Sequence, residues 1–305
     1  MHIFWKEAVF TVKIDNKYKG IICIICSAFC FALMNILVRL SGDLPSLQKS
    51  FFRNFVAFIF AAAIMMKQGI PFKIEKGDLK VLILRAALGT VGIWCNFYAV
   101  DNMMVADASM LNKLSPFFVI IFSFFILKEK VKPVQIMCVI MAFVGMLFII
   151  KPGFAGVQIL PALVGTLGGI TAGAAYTLVR LLSSRGVKGP LIVAFFSGFS
   201  CLAVTPFIIF DYHPMTAAQL MLLLGAGLAA AGGQFGITAA YSFAPAREIS
   251  IYDYSQIIFA TIFAFFILGE TPDGYSFIGY AVICAASIWM FVYNNRKSNV
   301  EAAAK

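Results

Sequence analysis

The chain has 305 residues, of which 61% are hydrophobic and 12% are charged. A soluble globular protein carries about 25% charged residues, so this composition excludes a water-soluble fold and indicates an integral membrane protein. The apolar stretches last about 20 residues, which fits helical spans and excludes the alternating strands of ~10 residues in outer-membrane barrels. The net charge of +10 does not by itself predict a nucleic-acid partner, because its meaning depends on where the charges lie.

Hydropathy predicts an all-α polytopic membrane protein with ten spans, numbered one to ten. Their expected bounds are 20–40, 47–66, 79–99, 103–127, 134–150, 161–181, 190–210, 219–241, 247–268 and 274–293. The tails 1–19 and 294–305 and the loops are short, and no G-x-x-x-x-G-K-[ST] motif for ATP use occurs. No cleavage site follows the first span, so no signal peptide is expected. The terminal EAAAK is assigned no function.

The positions of the basic residues orient these spans. With the N-terminus in the cytoplasm, 17 of the 24 lysines and arginines lie in inner segments, and two, Lys49 and Lys151, lie in outer loops. Basic residues concentrate on the cytoplasmic side of membrane proteins, so both termini are predicted to be cytoplasmic. The positive charge therefore orients helices, and no nucleic-acid partner is expected.

All seven cysteines lie in apolar stretches, so the sequence shows no disulfide framework. Cys23, Cys26 and Cys30 share one helix face, a spacing that would suit Cu(I). No histidine or methionine cluster accompanies them, and cysteine is a common small hydrophobic residue in helices. We therefore expect no metal and no cofactor.

The second half of the chain repeats the first. The sequence LVRL at 37–40 recurs at 178–181. The sequence FFIL at 124–127, with Glu129 two residues after it, recurs at 265–268 with Glu270 two residues after it. Both recurrences have a shift of 141 residues. The two repeats, 20–150 and 161–293, contain five spans each. Because five is odd, the second repeat must lie inverted in the membrane. Inverted repeats are typical of secondary transporters, in which two half-structures exchange roles.

These features resemble the drug/metabolite transporter superfamily, and specifically its EamA-type members. The matching segments are 114–117 (LSPF), 127–129 (LKE), Gly145 and 151–153 (KPG) in the first repeat, and Gln234, 240–241 (AY) and 266–270 (FILGE) in the second. The resemblance covers about residues 18–293 and identifies the fold better than the substrate.

The resemblance implies a bacterial inner membrane, frequent export and a central cavity between the two halves. It also implies that spans five and ten lie at the periphery, in some members in a dimer contact, so a monomer or a homodimer is expected. Members carry substrates as different as amino acids, nucleosides, sugars, S-adenosylmethionine, riboflavin and drugs.

Ionisable residues inside a bilayer are costly and therefore mark candidate functional positions. Span four carries Asp107 and Lys113; at the shift of 141, Asp107 corresponds to Glu248 in span nine, and Asn112 corresponds to Asp253. We expect the polar faces of these two spans to line the cavity. There Lys113 and Asp253 either pair with each other or bind the two charges of a zwitterion. The alternative is a purely structural buried ion pair.

The predicted substrate pathway includes further polar and aromatic side chains on these and neighbouring spans. It comprises Asn35, Arg53, Trp94, Tyr98, Ser109, Asn112, Lys113, Tyr176, Gln234, Thr238, Tyr241, Tyr252, Asp253 and Gln256. Pro116 is expected to kink span four and to free backbone carbonyls. The aromatic side chains either contact the substrate or only pack against neighbouring helices, and the sequence leaves both options open. The resemblance implies an arginine at position 53, and Arg53 serves either gating or packing. Arg39 is expected to pair with Asp43.

We predict a secondary transporter, not an enzyme, that exports a small polar or zwitterionic metabolite (an amino acid or a nucleoside-like compound) by alternating access. Asp253, Glu248 and Asp107 are candidates for proton coupling, and substrate exchange is the other option. The alternative function is uptake or exchange of S-adenosylmethionine or a related nucleotide-like metabolite. A membrane-embedded transferase would need a D-x-x-x-D metal pair, and Asp101 and Asp107 have a different spacing.

Overall fold

The structure is a computed structural model that describes residues 16–128, 131–151, 159–243 and 250–303. The described residues form helices and short connections, without a β-strand. The helices are α1 (Asn16–Leu40), α2 (Ser46–Gln68), α3 (Lys76–Asn102), α4 (Val105–Asn112), α5 (Ser115–Ile126), α6 (Pro133–Ile150), α7 (Ile159–Ser184), α8 (Gly189–Phe210), α9 (Ala217–Phe243), α10 (Ser255–Phe263) and α11 (Gly274–Ala303). A 3₁₀ turn, Ser250–Tyr254, precedes α10, and a π-helical turn, Ala264–Leu268, follows it.

These helices correspond to the ten predicted spans. Nine stretches of the described chain are long and apolar enough to cross a membrane, with α4 and α5 together forming one of them. The tenth, at 252–268, is a shorter apolar helix. Two helix ends extend more than three residues beyond the predicted bounds: α1 begins at Asn16, and α11 continues to Ala303 through most of the predicted C-terminal tail. The expected tail segment 1–15 and the KPG motif after Lys151 lie outside the described residues.

The packing of the helices follows the inverted repeat. Helix α1 packs along α9, and the corresponding helix of the second repeat, α7, packs along α3. Helix α2 packs on its own counterpart α8, and α6 packs on its counterpart α11. Each main helix contact is therefore either matched by the same contact between the equivalent helices of the other repeat, or formed between two equivalent helices. A pseudo-two-fold axis that relates the two repeats requires this pattern. This arrangement confirms two inverted five-helix repeats.

The helix connections separate into two ends of the bundle. At the Arg39 end, Gln48 donates a hydrogen bond to the carbonyl of His213 at 2.8 Å, and Gln219 donates to the carbonyl of Ser41 at 3.0 Å. At the Arg185 end, Arg185 forms an ion pair with Asp78 at 3.0 Å. Each of these contacts joins one repeat to the other, so both ends contribute to holding the halves together.

Helices α6 and α11 lie at the periphery. Only 28% of the α6 span and 33% of the α11 span are buried, against 61% for α7. The two helices meet at Gly145 and Gly279, where a Cβ atom added to Gly279 would lie 2.7 Å from the carbonyl oxygen of Gly145. Small residues let membrane helices approach this closely.

Helix α7 approaches span four closely through glycines. A Cβ atom at Gly169 would lie 2.7 Å from the backbone oxygen of Leu111, and one at Gly173 would lie 2.5 Å from the Cβ atom of Phe118. The main chains are therefore in contact at this crossing. It positions α7 directly beside the polar cluster of span four.

Substitution of Gly169 tests this close crossing. Gly169→Val should lower the stability of the purified protein by about 1–3 kcal/mol, because the backbone of α4 cannot move without disturbing its packing. Leu167→Val is the control, since Leu167 is exposed on the same helix and should change stability little. The measurement is the melting temperature in detergent. Equal melting temperatures for the two variants would contradict the crossing.

Candidate functional site

Span four is broken at the polar cluster. Helix α4 ends at Asn112, α5 begins at Ser115, and Pro116 is in the first turn of α5. Proline has no N–H group, so it cannot serve the carbonyl four residues earlier. At the shift of 141, Lys113 corresponds to Tyr254, the residue at which the 3₁₀ turn gives way to α10. Both repeats are therefore irregular at the same position.

The two irregular positions contact each other. The Nζ atom of Lys113 lies 2.5 Å from Oδ2 of Asp253, and both side chains are nearly buried. The hydroxyl of Tyr254 donates a hydrogen bond to the carbonyl oxygen of Lys113 at 3.0 Å. The second carboxylate oxygen of Asp253 is buried and has no hydrogen-bond partner among the described residues. An ion pair and a hydrogen bond thus join the breaks of the two repeats.

A chain of hydrogen bonds between buried side chains reaches span four one turn before Lys113. Asn35 in α1 donates to the hydroxyl of Ser109 at 3.1 Å, and Asn96 in α3 donates to the side-chain oxygen of Asn35 at 3.3 Å. All three side chains are buried. These bonds tie α1 and α3 to α4 and place the predicted residues Asn35 and Ser109 together.

Asp107 faces a different neighbour. Its carboxylate accepts hydrogen bonds from the hydroxyls of Tyr280 at 2.5 Å and Ser276 at 3.1 Å, both on the peripheral helix α11. The structure does not bring Asp107 to the Lys113–Asp253 pair. Its predicted partner in proton coupling, Glu248, lies outside the described residues.

Two arginines form a second polar group, the arginine pair, Arg53 of α2 and Arg85 of α3. Their guanidinium carbons lie 5.9 Å and 3.9 Å from the ring centroid of Phe196 in α8. Both side chains are buried. Arg53 also donates to the side-chain oxygen of Asn54 at 2.6 Å. Arg53 was predicted as a substrate-pathway residue from the sequence, whereas Arg85 was not, although it also lies within a predicted span.

Tyr176 of α7 is near both polar groups, the Lys113–Asp253 pair and the arginine pair. Its hydroxyl interacts with the charges of Asp253, Arg85 and Arg53. The side chain is 40% exposed, yet it lies about two and a half turns from the exposed Leu167 of α7, on the opposite side of the helix. Because Leu167 faces away from the bundle, the exposed surface of Tyr176 faces a space inside it.

Trp94 and Tyr98 lie one turn apart on α3. The indole nitrogen of Trp94 donates to the hydroxyl of Ser50 in α2 at 3.0 Å. Tyr98 lies two and four helical turns from Val91 and Leu84, which are exposed apolar residues on the same face of α3. This placement favours the packing alternative for the two aromatic side chains, and contact with a substrate stays a prediction.

The remaining predicted residues flank the ion pair or lie outside the described part. Gln256 is buried one turn after Asp253, and Tyr252 is partly exposed with its ring against Phe291. Asn112 and Gln234 are partly buried. The side chains of Thr238 and Tyr241 lie outside the described residues.

The Arg39 end of the bundle contains a partner that the sequence prediction missed. Arg39 forms an ion pair with Glu270 of the other repeat at 3.3 Å, not with the neighbouring Asp43 that was expected. Lys49, whose side chain is fully buried, pairs with Asp101 at 2.7 Å. The expectation for Arg39 was wrong because a local i,i+4 pair contributes only a few tenths of a kcal/mol, and the tertiary partner replaces it.

No metal site was found within the described ranges. They contain no group of three or more histidine, cysteine, aspartate or glutamate residues arranged to hold an ion. The cysteines of α1 are free thiols.

A double-mutant cycle tests the buried pair. Lys113→Met and Asp253→Leu should each destabilise the protein by about 3–5 kcal/mol, because each leaves one buried charge uncompensated. The double variant should melt closer to the wild type than either single variant does.

The matched control for this cycle is Lys151 with Asp273. These residues form an ion pair of similar length, 2.6 Å, but the Asp273 side chain is 46% exposed. Lys151→Met should change stability by less than about 1 kcal/mol, and Asp273→Leu by about 1–2 kcal/mol, because it also removes the acceptor for the backbone N–H of Ser276 at the start of α11. Additive melting-temperature losses at Lys113 and Asp253 would show that the two residues are not coupled.

Comparison with known proteins agrees with this architecture. The sequence model of the EamA-like transporter family matches the chain twice, at residues 18–151 and 159–292, once for each repeat. A pseudopaline exporter of Pseudomonas aeruginosa strain UCBPP-PA14 is 29% identical over 90% of this chain and 96% of its own length. A riboflavin transporter of Brucella anthropi is 25% identical over 87% and 95% of the two chains.

More distant similarities extend to a human protein and to a solved fold. Human solute carrier family 35 member G1 is 26% identical over 88% of this chain and 78% of its own length. A crystal structure with 14% identity superimposes with a TM-score of 0.65 and covers 92% of this chain and 98% of its own, which supports the fold alone. The two matches of the family model, which together span most of the sequence, show that the chain belongs to the EamA-like transporter family and is a multi-pass membrane transporter, not an enzyme.

Proposed function

We propose that this transporter exports a small polar or zwitterionic metabolite by alternating access around a site at the meeting point of the two repeats. The contact that carries the proposal is the Lys113–Asp253 pair at 2.5 Å. It joins the irregular position of span four to that of span nine. Broken helices at the interface of inverted repeats are where secondary transporters bind their substrates.

The free oxygen of Asp253 supports a site for a positively charged group. That oxygen is buried and lacks a hydrogen-bond partner in the part of the chain that the structure describes. An ammonium group of a substrate would satisfy it, since a carboxylate accepts several hydrogen bonds. An amino acid or a related zwitterion fits this chemistry.

The proposed direction and location rest on charge and on relatives. The predicted inner segments, which include Arg185 and Lys188 at the Arg185 end, carry most of the basic residues. This distribution supports a cytoplasmic location for that end and for both termini. Two of the three relatives described above are bacterial, and one of these two is an exporter, which supports export across a bacterial inner membrane.

Efflux from liposomes tests the proposed function. Purified protein is reconstituted into liposomes loaded with amino acids, nucleosides, S-adenosylmethionine and riboflavin, and the released solutes are identified by mass spectrometry. We expect faster release of at least one zwitterion than from protein-free liposomes. Release at the protein-free rate for every solute, with and without a pH gradient, would contradict the proposal.

Asp253→Asn tests whether Asp253 couples transport to protons. If Asp253 carries the proton, efflux by the variant should be slower, because the carboxylate of the pair is lost, and the efflux that remains should not depend on the pH gradient, because an amide does not titrate. Persistence of that dependence would exclude Asp253 as the proton site.

Asp273→Asn is the matched control for this measurement. Partial burial raises the pKa of the Asp273 carboxyl, but hydrogen bonds from Lys151 and Ser276 outweigh it and lower the pKa below its usual value. Asp273 therefore stays ionised at and above neutral pH and loses its charge only in acid. The control should respond to the pH gradient as the wild type does.

A further inference from the structure

Arg53 and Arg85 are buried cations without an acidic partner among the described residues. They are 5% and 4% exposed. Within the same described ranges, Nε of Arg53 and both Nε and NH1 of Arg85 are buried without a hydrogen-bond partner. Buried charges are normally paired, because removal from water without compensation is costly. The arginine pair thus has unused donors directed into the protein.

The aromatic contact orients these donors without neutralising them. The ring of Phe196 lies 3.9 Å from the guanidinium carbon of Arg85, at a distance typical of stacking. Stacking engages the face of a guanidinium group and leaves its edge, which carries the N–H donors, available. The two guanidinium groups repel each other, which adds to the demand for an anion.

The backbone of α3 leaves room for this arrangement. NH1 of Arg85 lies beside Gly89, where an added Cβ atom would be 3.0 Å from that nitrogen and 2.9 Å from the ring of Phe196. A larger residue at position 89 would displace both groups. The glycine therefore lets the guanidinium group and the ring approach the main chain.

Tyr176 makes the region accessible from within the bundle. Its exposed side chain faces the interior and interacts electrostatically with both arginines and with Asp253. A solute that contacts Tyr176 is therefore within electrostatic range of a pair of cations and of a carboxylate with one free oxygen.

We propose that Arg53 and Arg85 form the binding subsite for a carboxylate group of the transported metabolite. The inference rests on the transport function proposed above and narrows its substrate class to carboxylate-bearing metabolites. Guanidinium groups present paired N–H donors that match the two oxygens of a carboxylate. Lys113 is a weaker candidate for this role, because Asp253 already neutralises it at 2.5 Å.

The test is ligand-dependent thermal stabilisation of the purified protein. The probes are acetate, succinate, citrate and glutamate at equal ionic strength and pH, each compared with its neutral amide counterpart, and inorganic phosphate is a separate arm. We expect at least one carboxylate to raise the melting temperature of the wild type while its amide does not. Arg85→Gln and Arg53→Gln should abolish that shift.

The controls separate a binding role from a structural one. Arg185→Gln removes the same charge from a half-exposed arginine and should leave the carboxylate shift intact. Arg85→Lys keeps the cation but loses the paired donors, so it should weaken the apparent affinity for the carboxylate by about tenfold or more and not abolish the shift. An arginine that only packs on Phe196 would leave carboxylate selectivity unchanged in these variants.

The wild-type measurement decides the proposal even where a variant fails to fold. Equal shifts with carboxylates and amides, or no shift with any probe, would overturn it. A shift with phosphate alone would also overturn the assignment of a carboxylate. Because stabilisation is measured without transport, a carboxylate-selective shift together with inactive liposomes would contradict the proposed function and leave the subsite supported.

Discussion

The ion pair between Lys113 and Asp253 is the interaction on which the rest of the structure depends, because it lies where both repeats interrupt a membrane helix. In a bilayer an interrupted helix leaves backbone groups without water to satisfy them. Here the other repeat supplies the partner: the hydroxyl of Tyr254 bonds the carbonyl of Lys113. Each repeat therefore depends on the other for its irregular segment, and a half-protein would leave a charge and a carbonyl unsatisfied.

Helix α7 connects this junction to the remainder of the interior. Its glycines bring it into main-chain contact with span four beside the break, as at Gly169. The same helix presents Tyr176 to the inner space, within electrostatic range of Asp253 and of the arginine pair. A movement of α7 therefore changes the geometry of both polar groups together. The alternating-access mechanism proposed above requires such a coupling, because a substrate that shifts the protein between two states must contact both states differently.

Sequence reasoning predicted the spans well, because hydropathy over about 20 residues reflects the bilayer itself. It also brought spans four and nine together, since duplication placed Asn112 and Asp253 at equivalent positions. It missed Arg85. The residue equivalent to Arg85 at the shift of 141 is Ala226, so the repeat did not mark this position as a duplicated polar site. It also missed the Arg39–Glu270 contact, because the helix crossings that create a tertiary pair 231 residues apart are not visible in local patterns.

The contacts at the Arg39 end show how far the two repeats differ. At the shift of 141, Arg39 corresponds to Arg180 and Glu270 corresponds to Glu129, so the sequence carries both members of this ion pair twice. In the alternating-access mechanism proposed above, the opposite state would use the second set. The buried pair of Lys49 and Asp101 has no such duplicate, since residues 190–193 and 242–245 contain no charged residue. Lys49 in α2 and Asp101 in α3 both belong to the first repeat, so this pair fixes two helices of one half to each other and makes the two repeats unequal at this end.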